Sequence, residues 1–204
     1  RFTYGFNLCL IQLADESGTC YIIDPFTVSD LQPFFDVLEN KSITKIIHHS
    51  NNDILLLNKL GCNIQGVLDT DVAAKILNYE RSSLATVLKE EFGIEIDKSQ
   101  QSSNWNKRPL TEDQLKYAAI DVIYLHRIKE KLLNQVNQLG RLHWLQEENS
   151  LLEKLTYTEP VNPHLKLRNA FRLNFYQQYI LKSLFAFREQ MGKQFNKPAP
   201  YIIS

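Results

Sequence analysis

The residues best suited to chemistry are Tyr117 and Asp121, within the stretch RPLTEDQLKYAAIDVIYLHRI (residues 108–128). Apolar residues recur there at helical spacing, Thr111 is typical of a helix N-cap, and Gln114 is placed close to a capping box. Residues four apart lie one above the other on the same helix face. On a helix predicted to be mostly buried, such a carboxylate could hold a metal ion, and the phenol could position a water molecule.

The same pair has a purely structural interpretation. Tyr117 could be a core tyrosine with a satisfied hydroxyl group, and Asp121 could be a solvated charge on an amphipathic helix. The helix alone favours this structural interpretation, so the choice depends on the rest of the chain.

Composition narrows the class of protein. The 204 residues contain 23 basic and 23 acidic side chains, and the isoelectric point is about 7.1. This balance argues against a broad basic surface that binds duplex backbones non-specifically. The balance is compatible with a nucleic-acid enzyme, because metal ions can supply the positive charge of a narrow site.

The cysteines and the hydropathy pattern indicate the compartment. Cys9, Cys20 and Cys62 are isolated in apolar surroundings, which predicts small core residues in a reducing environment. No apolar run reaches transmembrane length, and no signal peptide is recognisable. We therefore expect a soluble, cytoplasmic protein without a membrane partner.

Short apolar runs alternate with helical patterns along the first three quarters of the chain. We expect strands at 7–13, 20–23, 43–48 and 65–68, helices at 29–38, 51–60, 71–79 and 83–91, and a long helix that begins at the Thr111 cap and surrounds Tyr117. Residues 94–109 read as a polar loop. This order predicts an α/β fold with helices packed on the faces of a sheet, whose edge is the usual place for a site.

The pattern changes near residue 150. We expect one domain over residues 1–150, a proline-containing linker over 151–170, and an aromatic, leucine-rich helical segment over 171–204.

Two more places carry side chains that could join a metal site. Asp53 follows the predicted strand in KIIHHSNNDILLL, and Asp69 lies at a strand-to-helix junction in VLDTDVAAKIL. Capping and the helix dipole alone also favour aspartate at both positions, and for Asp69 we prefer that structural role. His48 and His49 could be ligands, but histidines at the end of a buried strand are more often structural.

Taken in order, LCLIQLA, YIIDPF, KIIHHSNNDILLL, LDTDVAAKIL and IDKSQQSSNWNKRPLTEDQLKYAAIDVIYL resemble the exonuclease domain of ribonuclease D. This is the branch of the DEDD 3′–5′ exonucleases with a tyrosine in the third motif, and the resemblance covers about residues 2–135. It implies a ribonuclease H-like mixed sheet flanked by helices. The tail from Tyr179 to Ser204 resembles the start of an HRDC domain, a helical module.

The resemblance gives roles to three residues. Asp53 matches the aspartate of the second motif, and Tyr117 and Asp121 match the tyrosine and aspartate of the third. It implies two-metal hydrolysis with two Mg²⁺ or Mn²⁺ ions, in which Tyr117 orients the attacking water, Asp121 ligates one ion and Asp53 holds the other.

The first motif of that family, Asp-x-Glu, has no counterpart in this sequence. The resemblance places it on a strand upstream of Phe2, in the middle of the sheet, and Asp15 and Glu16 lie in the wrong position to replace it. We therefore expect an incomplete record of a longer protein, impaired in activity and in folding.

Substrate contacts are expected from the loop before the helix of Tyr117. Trp105 could stack a base, and Lys107 and Arg108 could contact phosphates. The alternative is a loop packed by Trp105 with solvated charges. A weaker expectation is that the path of a 3′ end is lined by Gln12, Tyr4 and Phe6.

The leading functional hypothesis is a metal-dependent 3′–5′ exoribonuclease whose partner is the 3′ end of single-stranded RNA. Single-stranded DNA is the alternative substrate. A protein of another class, a catalytically inactive nucleic-acid-binding scaffold, is the second alternative. The oligomeric state stays open.

Overall fold

Strands and helices alternate in the first part of the chain, and helices alone follow. The structure is a computed structural model that describes residues 2–5 and 7–203. Its elements, in chain order, are β1 (Ile11–Ala14), β2 (Cys20–Ile23), α1 (Gln32–Glu39), β3 (Lys45–Ile47), α2 (Asn51–Lys59), β4 (Val67–Asp69), α3 (Thr70–Ile76), α4 (Leu84–Phe92), α5 (Glu112–Ile123), α6 (Leu125–Gln138), α7 (Leu142–Leu152) and α8 (Phe175–Phe195). The predicted α/β class is confirmed, and each predicted strand and helix has a counterpart, with the predicted bounds for β2 and shifted ends for the others.

The strands form two separate pairs. β1 and β2 are antiparallel, with Ile11 opposite Ile23, and β3 and β4 are parallel, with Ile46 opposite Leu68. The single mixed sheet implied by the resemblance is therefore not formed by the described residues, because no strand among them bridges the two pairs. β1 is also shorter than the predicted strand at residues 7–13, because strand pairing begins only at Ile11.

Two hydrophobic clusters support these elements. The larger one joins α3, α4, α6 and α7 through fully buried residues such as Ala73, Leu88 and Leu132. The second joins α1, α2, β4 and α7 through residues that include Ile54 and Val67. α5 lies outside both clusters and packs against β1 and β2. The residues expected in the site thus stand on helices with different packing partners.

The chain divides into two compact units. One is Leu8–Tyr157, and the other combines Arg1–Asn7 with Thr158–Ser204. Residue 150, the predicted domain boundary, lies within α7, which belongs to the unit Leu8–Tyr157. In the second unit Tyr4 is tied to α8, where its hydroxyl donates a 2.8 Å hydrogen bond to Glu189. Within residues 2–5 and 7–203, no helix is long and apolar enough to cross a membrane.

Candidate active site

The helix of Tyr117 and Asp121 begins with the cap that the sequence predicts. The Thr111 hydroxyl accepts the Gln114 N–H, and the Gln114 side chain accepts the Thr111 N–H at 3.0 Å, which completes a capping box. The helix ends at Ile123 rather than near residue 128, because a new helix starts at Leu125. It is also less buried than predicted, since only Gln114 and Ala118 are fully buried.

Asp121 is a half-buried carboxylate without a protein partner. No hydrogen bond or ion pair within the described part of the chain reaches it. Burial raises the pKa of Asp121 to about 6, because desolvation disfavours the charged form. Burial and the charge of Asp121 also raise the pKa of the Tyr117 phenol, so this hydroxyl keeps its proton at neutral pH. A partnerless carboxylate beside a protonated phenol is suited to a cation and a water molecule.

Asp53 lies in the first turn of α2 but does not cap it. The N-terminus of α2 has no side-chain cap, and no hydrogen bond to the Asp53 carboxylate occurs in the described residues. The residue is exposed, although surrounding protein displaces part of its hydration. That desolvation raises the pKa of Asp53, His49 opposes the shift and Asp69 adds to it. Asp53 therefore does not cap α2, whereas its favourable place at the positive end of the helix dipole stays as an alternative.

The described residues do not assemble a complete metal centre. No group of three or more His, Cys, Asp or Glu side chains with metal-binding geometry occurs among residues 2–5 and 7–203. The charges that act on Asp53 come from His49 and Asp69, and the pKa of Asp121 is shifted by burial. Asp53 and Asp121 each fit a hard divalent ion as oxygen ligands, because each is partly desolvated and forms no ion pair within the described residues.

Asp69 has the structural role that the sequence favours. It is 1% exposed, caps α3 and accepts four hydrogen bonds. One carboxylate oxygen accepts the His49 N–H at 3.0 Å and the Asp71 N–H at 2.8 Å. The other accepts the Ser50 N–H at 2.8 Å and the Ser50 hydroxyl at 2.7 Å. Asp69 thereby fixes the segment that enters α2 and so positions Asp53.

His48 and His49 both make contacts that stabilise this part of the chain. His48 Nδ1 lies 2.9 Å from the Thr70 hydroxyl, and burial lowers the pKa of His48. His49 has a left-handed backbone (φ 63°), and its Nδ1 lies 3.0 Å from the Asp71 carboxylate. A pocket of about 500 Å³ opens here, lined by both histidines, Asp71, Lys75 and residues 82–84, and it includes neither Asp53 nor Asp121.

The three residues predicted to contact substrate, Trp105, Lys107 and Arg108, lie in the loop before α5 and differ in their contacts with the protein. The Trp105 ring lies 6.0 Å from the Tyr117 ring, centroid to centroid, so it packs beside the phenol. Lys107 is exposed, and its ammonium has no ion pair in the described residues. Lys107 is thus available to contact a phosphate. The position of Trp105 is explained by its packing against Tyr117 and requires no contact with a substrate.

Arg108 is committed to the protein itself. Its Nε donates to Asp24 Oδ2 at 2.5 Å, and its Nη2 donates to Asp24 Oδ1 at 2.9 Å and to the Cys9 carbonyl at 2.7 Å. Its Nη1 donates to the carbonyls of Trp105 and Lys107, each at 2.9 Å. All five guanidinium donors are occupied, so the predicted phosphate contact does not fit Arg108. The residue instead ties the loop to β1 and to the end of β2.

Breaking this link should cost stability. We expect Arg108→Lys and Asp24→Asn each to lower the free energy of unfolding by about 2 kcal/mol. A lysine cannot form the bidentate pair of hydrogen bonds, and an asparagine offers only one of the two acceptor oxygens. Urea unfolding followed by circular dichroism measures the loss. Lys107→Ala is the matched control and should leave the midpoint unchanged. Equal stability of Arg108→Lys and wild type would contradict this role.

Asp71, which the sequence analysis did not single out, should make stability depend on pH. Burial alone would raise the pKa of this 4% exposed carboxyl, but hydrogen bonds from Lys75, Ser82 and His49 lower it to about 2. The stabilisation of about 2 kcal/mol is therefore complete above the ordinary value near 4 and is lost as the pH falls toward about 2. Urea unfolding of wild type and Asp71→Asn should show a difference that shrinks over this window. A difference that grows with acid would contradict the assignment.

The weaker expectations for the 3′-end path are partly corrected. Tyr4 belongs to the unit with α8, and its hydrogen bond to Glu189, added to burial, raises its pKa to about 12. Its hydroxyl is therefore engaged within that unit. Gln12 lies in β1 opposite Ile22. Phe6 lies outside the described residues.

Comparison with known proteins gives the family. Residues 1–137 match the family model described as 3′–5′ exonuclease. Ribonuclease D of Bartonella henselae is 37% identical over 205 residues, with 98% of this chain and 50% of that protein covered. The crystal structure of Escherichia coli RNase D, an exoribonuclease involved in structured RNA processing, superposes with a TM-score of 0.79 at 30% identity and covers 100% of this chain and 55% of the other.

A third similar protein is Brucella melitensis NrnC with bound Mg²⁺. It is 30% identical with a TM-score of 0.65, covering 71% of this chain and 72% of the other. The chain spans about half the length of the curated relatives that it matches. The family model alone covers well over half of the chain. This chain therefore belongs to the 3′–5′ exonuclease family.

Proposed function

We propose that the protein is a metal-dependent exoribonuclease that removes nucleotides from the 3′ end of single-stranded RNA. The observation that carries the proposal is the Tyr117–Asp121 pair on α5, a protonated phenol beside a desolvated carboxylate that has no protein partner in the described residues. Similarity to ribonuclease D from several bacteria supports RNA as the substrate.

Asp53, Tyr117 and Asp121 have different proposed roles in the hydrolysis. Asp121 and Asp53 would hold divalent cations, Mg²⁺ or Mn²⁺, and we propose two ions by analogy with two-metal hydrolysis. Cations bound there would lower the pKa of a coordinated water and offset charge on the leaving oxygen. The Mg²⁺-bound state of the Brucella melitensis protein supports such a cofactor. Tyr117 would hold the attacking water by a hydrogen bond, in line with the bond to be broken.

The reaction is a hydrolysis of the terminal phosphodiester. Water attacks phosphorus, the bond from phosphorus to the 3′ oxygen of the penultimate nucleotide breaks, and that oxygen takes up a proton as it leaves. The products are a nucleoside 5′-monophosphate and an RNA one nucleotide shorter. Lys107, exposed and without an ion pair in the part of the chain that is described, is proposed to contact a phosphate near this site.

The C-terminal unit is proposed to be the start of an HRDC-like helical module. The support is the sequence resemblance of residues 179–204 together with the separation of this unit from Leu8–Tyr157. The division into 1–150, 151–170 and 171–204 remains a prediction about domains.

One observation favours a second candidate, an inactive scaffold that binds nucleic acid. The described residues contain no group of three or more potential metal ligands, and two carboxylates alone hold Mg²⁺ weakly. Catalysis separates the two candidates, since a scaffold binds RNA without shortening it.

Tyr117→Phe tests the proposed division of labour. We expect the full-length protein with this change to bind Mn²⁺ as wild type does, but to shorten RNA about 100-fold more slowly, because positioning of the water is lost. Mn²⁺ binding by electron paramagnetic resonance and single-turnover rates on RNA and DNA of one sequence measure both effects. Wild-type rates in Tyr117→Phe would refute the role, and a preference for DNA would overturn RNA as the substrate.

A further inference from the structure

The Tyr117 hydroxyl has no hydrogen-bond partner in the described part of the chain. Its ring is half-buried on α5, one turn before Asp121. A tyrosine side chain rotates about two torsions, so a hydroxyl without a partner is oriented only through the packing of its ring. The residues that pack against this ring therefore decide where the hydroxyl points.

Trp105 supplies an aromatic contact to that ring. The two ring centroids lie 6.0 Å apart and the ring planes are tilted by 43°, which is within the range of favourable aromatic pairs. Trp105 is itself half-buried and lies in the loop before α5, outside any helix or strand. A loop residue can serve as a fixed wall for Tyr117 only if its backbone is held by other contacts.

Arg108 holds the backbone of Trp105. Its Nη1 donates a 2.9 Å hydrogen bond to the Trp105 carbonyl. The same guanidinium donates through Nη2 to the Cys9 carbonyl at 2.7 Å, just before β1, and to Asp24 at 2.9 Å, just after β2. Because a guanidinium is planar and its donors have fixed directions, it joins these three segments in one geometry. The position of Trp105 is thus set from β1 and β2.

A second hydrogen bond ties the same loop to α5. Gln114, which is buried and completes the capping box of α5, donates from Nε2 to the Ser103 hydroxyl at 3.0 Å. Between the two attachments, the Lys107 N–H donates to the Asn104 carbonyl at 3.2 Å and closes a turn. Trp105 therefore lies between an attachment to the strands and an attachment to α5 itself.

We propose that Arg108 and Trp105 are positioning residues for the hydrolysis: Arg108 fixes Trp105, and Trp105 keeps the Tyr117 phenol directed at the attacking water. The inference rests on the proposed function, because it deepens the role of Tyr117 as the residue that holds this water. Misplacement of a reacting group by about 1 Å can slow a reaction about 100-fold. Residues that contact only Tyr117 or its neighbour can therefore control the rate.

This role differs from stacking against a base, which is the other use of an indole in this loop. A tryptophan that stacks a base contributes to affinity, so its loss weakens RNA binding. A tryptophan that orients Tyr117 contributes to the chemical step, so its loss slows the cleavage of bound RNA and leaves affinity unchanged. The ring contact with Tyr117 favours the second role.

Rate and affinity, measured separately, test the proposal. Single-turnover cleavage of one single-stranded RNA by the full-length protein with saturating Mn²⁺ gives the rate, and fluorescence anisotropy in EDTA gives the affinity. We expect Trp105→Ala to lower the rate about tenfold and to keep the affinity within about twofold. Trp105→Phe keeps a ring and should recover most of the rate. Arg108→Lys should slow cleavage about as much as Trp105→Ala, because it frees the same wall.

The Tyr117→Phe background makes the test specific. Without a hydroxyl to orient, Trp105→Ala should slow cleavage no further, because the two residues act as a unit. A residue needed only for stability would lower the rate by the same factor in both backgrounds. Equal factors in the two backgrounds, a wild-type rate in Trp105→Ala, or weaker RNA binding with an unchanged rate would overturn the proposal.

Matched controls remove the same kinds of side chain elsewhere. Trp144→Ala removes an indole from α7 that is 47% exposed, and Arg127→Lys removes a guanidinium from α6 that lies 4.9 Å from the centre of the Phe92 ring. Both should cleave as wild type does, and circular dichroism melting should show that every variant is folded at the assay temperature. Slowing in these controls equal to that in Trp105→Ala would also contradict the role.

A measurement that needs no catalysis separates this inference from the proposed function. Fluorine NMR of protein labelled with fluorotyrosine reports the surroundings of Tyr117, whose signal is identified by its loss in Tyr117→Phe. We expect Trp105→Ala and Arg108→Lys to shift this signal and Trp144→Ala to leave it in place. An unchanged signal in Trp105→Ala would overturn the positioning of Tyr117. A shifted signal in a protein without nuclease activity would overturn the proposed function instead.

Discussion

Asp121→Asn should reduce the exonuclease rate of the full-length protein by about 1,000-fold or more. A cation at such a site supplies several kcal/mol of transition-state charge stabilisation, and each 1.36 kcal/mol corresponds to a tenfold change in rate. An asparagine keeps the size of the side chain but removes the charge that holds the cation. Because burial disfavours the ionised Asp121, neutralising it should not destabilise the fold. Single-turnover cleavage of RNA with saturating Mg²⁺ measures the rate.

The matched control is Asp113→Asn on the same helix. Asp113 is exposed in the first turn of α5, on the same side of the helix as Tyr117 but about two turns before Asp121, and its loss removes only a weak dipole interaction. This variant should cleave within about twofold of wild type. A rate for Asp121→Asn close to that of Asp113→Asn would show that Asp121 holds no catalytic cation.

Asp69→Ala should lower the free energy of unfolding by about 3–5 kcal/mol, a large loss for one residue. The change removes the acceptor of the backbone N–H groups of His49, Ser50 and Asp71 and of the Ser50 hydroxyl, and the donors of Ser50 and Asp71 are buried. Each buried donor without a partner costs about 1–3 kcal/mol, and relaxation recovers part of the sum. Urea unfolding at neutral pH measures the loss.

Ser83→Ala separates this effect from ordinary loss of a cap. Ser83 caps α4 by accepting the Thr86 N–H at 3.3 Å, and it is exposed. Its removal should cost about 1 kcal/mol. If Asp69→Ala cost no more than Ser83→Ala, the buried network around Asp69 would not anchor the entry to α2.

Local features were predictable because they depend on residues near in sequence. The capping box of Thr111 and Gln114 and the four-residue spacing of Tyr117 and Asp121 follow from local pattern. The position of Asp53 just inside α2 was predicted in the same way. Its role as a metal ligand came from the family resemblance and remains a proposal.

Long-range contacts were not predictable from this sequence alone. Arg108 and Asp24 are 84 residues apart, and neither position carries a spacing signal, so the arginine was assigned to substrate. The attachment of Tyr4 to α8 spans 185 residues and was missed for the same reason.

The most direct test of the central claim follows a 5′-labelled single-stranded RNA over time on a denaturing gel. We expect the full-length wild-type protein with Mg²⁺ or Mn²⁺ to produce a ladder that shortens one nucleotide at a time from the 3′ end. We expect no shortening with EDTA or with Asp121→Asn. An undiminished ladder from Asp121→Asn, or no ladder from wild type with either metal, would contradict the account.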